Sequence, residues 1–295
     1  MMKSRLSLKN SVRAALNSLI LLLLFSGCSS STTPTYLKKN LDQAVRDICK
    51  TEYNLDVKTR LIGATLWVYL PVEDIFIKTN KPQKRVEIFE IKKLNSEFSG
   101  QSLKVDYAIK NIPPREQQDN YDVNKTVSEK LANVWKVLRR VLFSMEHSKE
   151  NELNFFRTIT ADIKNGFEIQ TTTYSLDLKK VSYGLISIEE YQHRSIQDTN
   201  IDSRIIGDKD GRHVEYKDIT MQDFIAAQIQ HRIKLKFQKP EVDKNANIDK
   251  EILKIIIAAI KIYDFKQFND VELKNLLTNN KIKLNKAAVW IRTTD

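Results

Sequence analysis

The sequence is poor in the residues on which many familiar active sites depend. Its 295 residues include seven glycines, six prolines, two cysteines and four histidines. It contains no G-x-G-x-x-G pattern, no G-x-S-x-G nucleophile elbow and no S-x-x-K acylation motif. With so few glycines, a loop that cradles phosphate is not expected. We therefore expect a non-enzymatic protein without a cofactor.

Metal-binding patterns are also missing. None of the histidines stands at H-E-x-x-H spacing or beside a cysteine or carboxylate in a metal-like pattern, so each is interpreted as a surface or helix-end residue: His147, His193, His213 and His231. Asp208-Lys209-Asp210-Gly211 lacks the acid at position 206 and the glutamate at position 217 that a calcium loop requires. This stretch predicts a turn, and no metal site is expected.

Basic residues and then a short apolar run open the chain. The run from Leu19 to Phe25 is followed by the small residues Ser26 and Gly27. Four basic residues precede it, and no acidic residue occurs before Cys28: Lys3, Arg5, Lys9 and Arg13. This order is typical of a secretory signal. Phe25-Ser26-Gly27-Cys28 resembles the lipobox of bacterial lipoproteins, although that class usually has leucine where Phe25 stands. The resemblance implies cleavage before Cys28, a lipid on its sulfur and attachment to a membrane.

This resemblance predicts where in the cell the rest of the chain is located. Residues 1–27 are then a signal peptide and residues 28–35 a polar tether, and Ser29 favours the outer membrane facing the periplasm if the cell has two membranes. The alternative, an uncleaved anchor, needs about 20 apolar residues, and this run is shorter. Because lipid occupies Cys28, Cys49 has no disulfide partner. Cys49 falls on the apolar stripe of a predicted helix, which indicates a buried thiol.

The charge indicates possible classes of partner. The formal charge is +11, and it falls to +7 once the four basic residues of the signal are removed. A basic exported protein can attract anionic lipid head groups or acidic envelope polymers. Since export removes the chain from nucleic acid, no nucleic-acid partner is expected. Other envelope proteins are the expected partners, and the sequence leaves the identity of any small ligand open.

Alternating strand and helix patterns predict an α+β fold with antiparallel sheets and amphipathic helices packed on one face. Pro113-Pro114 and the polar residues 115–122 predict a loop between an N-terminal unit, residues 36–112, and a C-terminal unit, residues 123–295. The clearest helix runs from about Lys125 to His147, because its apolar residues hold one stripe for more than five turns.

Two further patterns make definite structural predictions. Ile233, Leu235 and Phe237 alternate with lysines and predict a strand. Leu153 to Ile163 and Phe167 to Tyr174 predict a hairpin with a three-residue loop. That loop would pair Ile163 with Phe167, whereas a two-residue loop would pair Ile163 with Glu168 and mix apolar and polar faces.

Trp67 and Tyr69 are the candidate binding residues, because they share one face of a predicted strand. This face is either a binding surface or one side of a strand that is covered on both sides. The expected function is a membrane-anchored envelope lipoprotein acting as a binding or assembly module through this face, sheet edges or the apolar helix Ile248–Tyr263. The alternatives are an envelope hydrolase with a site around Glu190 and His193, and a carrier of an apolar ligand.

Overall fold

The computed structural model describes residues 36–145, 152–238 and 246–292. The predicted signal peptide and tether, with Cys28, lie outside these ranges, as does His147. The described residues from Tyr36 onward form one compact unit. It contains two β-sheets with packed helices, which confirms the predicted α+β class.

The helices and strands follow one another along the chain as α1 (Leu41–Tyr53), β1 (Lys58–Ile62), β2 (Thr65–Val72), β3 (Phe76–Ser99), β4 (Ser102–Val123), α2 (Lys125–Phe143), β5 (Phe155–Asp162), β6 (Phe167–Tyr174), α3 (Ser175–Ser182), α4 (Ile188–Arg194), β7 (Ile196–Ile201), α5 (Met221–Gln238), α6 (Ile248–Ile262), β8 (Asp270–Asn275), β9 (Lys281–Asn285) and α7 (Lys286–Ile291).

The first sheet has the strand order β1-β2-β5-β6-β7. Its neighbours are antiparallel except β2 and β5, which are parallel. Leu66, Val68 and Leu70 alternate along β2 and point to one face, where the apolar stripes of α1 and α2 pack on them. Val134 and Leu138 of α2 are fully buried in this core, as the sequence stripe predicts.

The second sheet has the order β3-β4-β8-β9, with β4 and β8 parallel and the other pairs antiparallel. Leu103, Val105 and Tyr107 alternate on one face and pack against α5 and α6. Each sheet therefore has helices on one face, as expected. Each also includes one parallel pair, where antiparallel pairs were expected.

A long two-stranded ribbon connects the two sheets. β8 pairs only with the first six residues of β4, so the remainder of β4 pairs with β3 alone, as far as Phe76 and Val123. The predicted loop 115–122 is part of this ribbon, with Glu116 opposite Val86. Pro113 and Pro114 are tolerated there because β4 has a free edge, so a missing N–H removes no bond to a further strand.

The predicted division of the chain does not follow the sheets. The first sheet takes β1 and β2 from before the predicted boundary and β5 to β7 from after it. The second sheet takes β3 and the first half of β4 from before the boundary and β8 and β9 from after it. Segments 36–112 and 123–295 therefore each contribute to both sheets.

The predicted strand at Ile233–Phe237 is wrong, because these residues form the last turns of α5. Ile225, Ile229, Ile233 and Phe237 recur every four residues and are all buried against the second sheet. The predicted apolar helix is α6, which also packs in this core. Within the described ranges, no helix combines the length and the apolar character needed to cross a bilayer.

Candidate functional site

The structure places Cys49 on α1, where its side chain is fully buried, as predicted. Burial raises the pKa of its thiol to about 11. Such a thiol stays protonated near neutral pH and is a poor nucleophile. Cys28, the predicted lipid attachment residue, lies outside the described residues.

Trp67 and Tyr69 lie on the face of β2 opposite α1 and α2. Residues 205–219, which we call the covering segment, pass over this face and pack on both rings. The indole Nε1 of Trp67 donates to the carbonyl oxygen of Lys217 at 2.9 Å, and the Tyr69 hydroxyl donates to that of Asp208 at 2.5 Å. Trp67 is 5% exposed and Tyr69 is fully buried. β2 is therefore covered on both faces, and the Trp67/Tyr69 face is not an open surface.

The covering segment is attached to the β1–β2 turn through Asp218. Its carboxylate accepts hydrogen bonds from the backbone N–H of Ala64 at 2.9 Å and from the hydroxyl of Thr65 at 2.8 Å. Gly63 stands at this turn with φ +57°, and a Cβ there would overlap the Asp218 carboxylate. Glycine is thus required at Gly63 both for its backbone conformation and for the close approach of the segment.

A buried histidine attaches the middle of the covering segment to β6. His213 Nδ1 lies 2.6 Å from the Asp208 carboxylate, and Nε2 lies 2.9 Å from the Glu168 carboxylate. All three side chains, which we call the His213 cluster, are at least 90% buried. The Glu168 carboxylate also accepts from the amides of Gln170 at 2.6 Å and Asn200 at 3.2 Å.

Ionised carboxylates beside both ring nitrogens favour a proton on each nitrogen, and hence an imidazolium at His213. Burial alone would lower the pKa of His213, but the hydrogen bonds to Asp208 and Glu168 outweigh burial and raise it. The interpretation of His213 as a surface or helix-end residue is wrong. Glu168 and His213 are 45 positions apart, so no local spacing could have indicated their contact.

Arg157 lies on β5, the central strand of the first sheet, between Trp67 on β2 and Thr172 on β6. Its guanidinium donates to the Thr172 hydroxyl and to the Gln170 side-chain oxygen, and its Nε has no hydrogen-bond partner. Its carbon Cζ lies 5.8 Å from the centre of the Trp67 ring. Burial lowers the pKa of Arg157, and Asp198 and Glu168 oppose this effect only through longer-range attraction. Within the described ranges, Arg157 forms no ion pair.

A cavity of about 400 Å³ lies beside Arg157 where the two sheets approach each other. We call it the Arg157 cavity. Its walls come from the first sheet, the covering segment, the first half of α5 and β3, and they include Trp67, Arg157, Asp198, Lys217, Glu97 and Gln230. Ser96 also lines it, and the buried hydroxyl of Ser96 has no partner among the described residues. The cavity thus joins an aromatic ring, an unpaired guanidinium and several hydrogen-bonding groups.

The Glu190 and His193 region is an ion-pair network on α4. Arg194 bonds Glu190 at 2.7 Å and the buried Asp177 at 2.9 Å, and Arg232 of α5 lies 3.5 Å from Glu190. Burial would raise the pKa of Glu190, but the arginines lower it. An ionised carboxylate held by two arginines is a weak base, because protonating it would break these bonds.

A second cavity, of about 840 Å³, lies between α2, α3, α4 and α5. We call it the helical groove. Its walls are mostly apolar and include Leu131, Trp135, Val181, Ile188, Tyr191 and Leu235, with Lys136, Arg139, His193 and His231 among its polar residues.

No grouping of three or more His, Cys, Asp or Glu side chains suited to a metal ion is found in the part of the chain that the structure describes. In the His213 cluster both carboxylates bond the imidazole of His213 instead. Compared with known proteins, the chain matches no family model, no curated protein and no solved structure.

Proposed function

We propose that this protein is an envelope lipoprotein, anchored through Cys28, that acts as a non-enzymatic binding module. Its ligand occupies the Arg157 cavity and is a small molecule with an anionic group beside a flat apolar part. The observation that carries this proposal is the largely buried guanidinium of Arg157, which has neutral partners and no carboxylate in contact.

A buried charge without an opposite charge nearby is costly to the fold. Such a charge is expected where a ligand or partner supplies the opposite charge. A carboxylate or phosphate group of a ligand would supply the missing negative charge and could accept from the guanidinium at two points. The volume of the cavity falls in the range of small-molecule sites. Asp198 and Glu97 on its walls favour a ligand that also carries hydrogen-bond donors.

Two observations favour binding over the hydrolase alternative. Both ring nitrogens of His213 are already bonded to carboxylates, so this histidine cannot take a proton from a substrate. Glu190, the acid of the proposed hydrolase site, is held by Arg194 and Arg232.

The anchoring is tested by metabolic labelling with palmitate and membrane fractionation of the wild type beside Cys28→Ala. We expect labelled, membrane-bound wild-type protein and an unlabelled variant. Equal labelling of both proteins, or none of either, would contradict the lipid attachment at Cys28.

The binding is tested by calorimetric titration of the detergent-solubilised full chain with three probes: benzoate, L-phenylalanine and inorganic phosphate. We expect saturable binding of the two ring-bearing carboxylates, and its loss in Arg157→Met. Arg60→Met is the matched control, because Arg60 lies opposite Trp67 on β1 but is exposed and stacks on Tyr216. Binding that survives Arg157→Met, or no saturable binding of any probe, would refute this site.

The helical groove supports a second candidate, a carrier of an apolar ligand. Its larger volume and apolar walls suit an acyl chain, and Arg139 could meet an acidic head group. A fluorescent fatty acid that binds wild type and is lost in Leu131→Asp, while benzoate binding persists, would favour this second function.

A further inference from the structure

The described chain begins at the end of α2 that also carries the loop between α3 and α4. The backbone N–H of Tyr36 donates to the carbonyl oxygen of Ser144 at 3.2 Å, and Tyr36 also pairs with Met145. The ring of Phe143, the last residue of α2, packs edge-on against Tyr183 at 5.2 Å between ring centres. Tyr36 and the α3–α4 loop are therefore neighbours through the C-terminal end of α2.

The α3–α4 loop presents large apolar side chains to solvent. Its backbone closes α3 with two hydrogen bonds, from Gly184 to Val181 and from Leu185 to Lys180, and Gly184 has φ +70°. In such a cap the apolar residue after the glycine commonly packs back on the helix. Here Leu185 is 72% exposed, and its neighbours Tyr183 and Ile188 are 68% and 70% exposed.

Four basic residues stand on the segments that meet at this end of α2. Lys38 and Lys39 follow the exposed Leu37 at the start of the described chain, and Lys180 stands in the last turn of α3. Arg139 of α2 lines the helical groove together with Ile188. In the described ranges none of these four cations forms an ion pair. We call these cations, with Leu37, Tyr183, Leu185 and Ile188, the tether-end surface.

Chain length restricts where this surface can be in an anchored protein. Tyr36 is eight positions after Cys28, and even a fully extended chain of eight steps reaches at most about 29 Å. A lipid on Cys28 therefore holds the Tyr36 end of the molecule close to the bilayer. Clustered exposed apolar residues mark interaction surfaces, and apolar side chains flanked by cations suit an anionic membrane.

We propose that the tether-end surface is a second membrane contact. Tyr183, Leu185 and Ile188 insert into the head-group and upper acyl region of an anionic bilayer, and Lys38, Lys39, Lys180 and Arg139 contact the lipid phosphates. This inference rests on the proposed anchoring through Cys28. It fixes the orientation of the protein, with the α3–α4 loop facing the lipid.

The test uses the full-length protein with an environment-sensitive fluorophore at Leu185→Cys, reconstituted into vesicles of phosphatidylethanolamine and phosphatidylglycerol. Cys49 does not compete for the label, because it is buried and its pKa is raised to about 11. The matched control is Ile201→Cys, at a residue that is 80% exposed. Ile201 pairs with Phe167, whose ring packs on Phe76 beside the start of α2, so it lies at the far end of this helix.

We expect lipids with a quencher high on the acyl chain to quench the label at Leu185→Cys and to leave Ile201→Cys unchanged. The strongest quenching should come from the shallow quencher, because interfacial side chains reach only about 5–10 Å into the head-group and acyl boundary. Replacing phosphatidylglycerol by phosphatidylcholine should reduce the quenching, and so should Lys38→Glu with Lys39→Glu.

The outcomes separate this inference from the proposed anchoring. If palmitate labels Cys28 but the two labelled positions are quenched equally, the second membrane contact is refuted and the anchoring stands. If the Leu185→Cys label shifts its emission only when other envelope proteins are added, a protein covers this surface and the inference is also refuted. If Cys28 carries no lipid, the proposed anchoring fails whatever the quenching shows.

Discussion

The two sheets have similar helix-covered faces and very different opposite faces. On the second sheet the opposite face carries charged side chains in contact with solvent, such as the pairs Lys110–Glu90 at 2.9 Å and Lys283–Glu272 at 2.9 Å. On the first sheet the opposite face holds Arg157 and the His213 cluster beneath the covering segment. The same kinds of polar residue are therefore solvated on one sheet and buried on the other. A buried polar group without a hydrogen-bond partner is costly.

This difference indicates which charged residues have a role other than keeping the protein soluble. Charged residues on an exposed sheet face need no explanation other than solubility. Charged residues buried beside a cavity persist when they organise a segment or a ligand. We assign the first role to the His213 cluster and the second to Arg157.

Breaking the His213 cluster should have the largest effect. His213→Ala leaves the buried carboxylates of Glu168 and Asp208 without a cation, and losing one partner of a buried ion pair costs about 3–5 kcal/mol. Urea unfolding followed by circular dichroism measures the loss. Lys283→Ala on the second sheet is the control and should cost much less, because its pairs are exposed. Similar losses for both variants would show that burial does not distinguish the two faces.

The stability that the His213 cluster provides should depend on pH in a definite direction. The pKa of His213 is raised on folding, so its contribution is complete below the ordinary histidine value and is lost as the pH rises through the folded value. Burial would raise the pKa of Asp208, but its hydrogen bonds from His213 lower it, so its contribution is lost at acidic pH.

Urea midpoints of wild type and His213→Gln, measured from pH 5 to pH 10, test this dependence. The advantage of the wild type should shrink toward alkaline pH. An advantage that grows as the pH rises would show that His213 is neutral in the folded protein.

Removing the unpaired charge of the first sheet should have a smaller effect with the opposite sign. Arg157→Met in the ligand-free protein should be neutral or stabilising by about 1 kcal/mol, because it replaces a buried guanidinium that lacks a counter-ion. Arg157→Lys should not share this gain, since it keeps the charge. A loss of more than about 2 kcal/mol in Arg157→Met, measured by the same unfolding assay, would mean that Arg157 serves the fold and not a ligand.

The smallest effect on stability is expected at the tether-end surface. Leu185→Ser changes an exposed side chain and should alter the free energy of unfolding by less than about 0.5 kcal/mol. Leu138→Ala, in the core under the first sheet, is the contrasting variant and should cost about 2–5 kcal/mol. A large loss in Leu185→Ser would indicate that this residue packs within the protein.

The fold class and the elements that face an apolar core could be predicted from the sequence. The stripe of α2 and the alternation of β4 each have a clear period, and both are buried as expected. The spacing of Ile233, Leu235 and Phe237 is ambiguous, because Ile233 and Phe237 are also four residues apart, as on one face of a helix. These residues form a helix because that face packs on the second sheet.

The candidate site could not be predicted, and the hairpin of β5 and β6 shows why. The structure pairs Asp162 with Phe167 and Ala161 with Glu168, so the predicted pairing of Ile163 with Phe167 is wrong. The prediction kept polar and apolar faces apart. In the protein, the polar residues of β6 lie on the face beneath the covering segment. There the Glu168 carboxylate bonds to His213, which comes 45 positions later in the chain. Asp162 also fixes the loop, since its carboxylate accepts from the backbone N–H groups of Lys164 and Asn165.

The interleaving of the two sheets has a consequence for the order in which they assemble during synthesis. Synthesis from the N-terminus delivers β3 and β4 early, but β8 and β9, which complete the same sheet, come about 150 residues later. The apolar face that includes Leu103 and Tyr107 therefore stays uncovered until α5 and α6 have also emerged. A chaperone that shields this face would therefore bind a chain that is truncated before residue 221. It would not bind a chain that extends to residue 292.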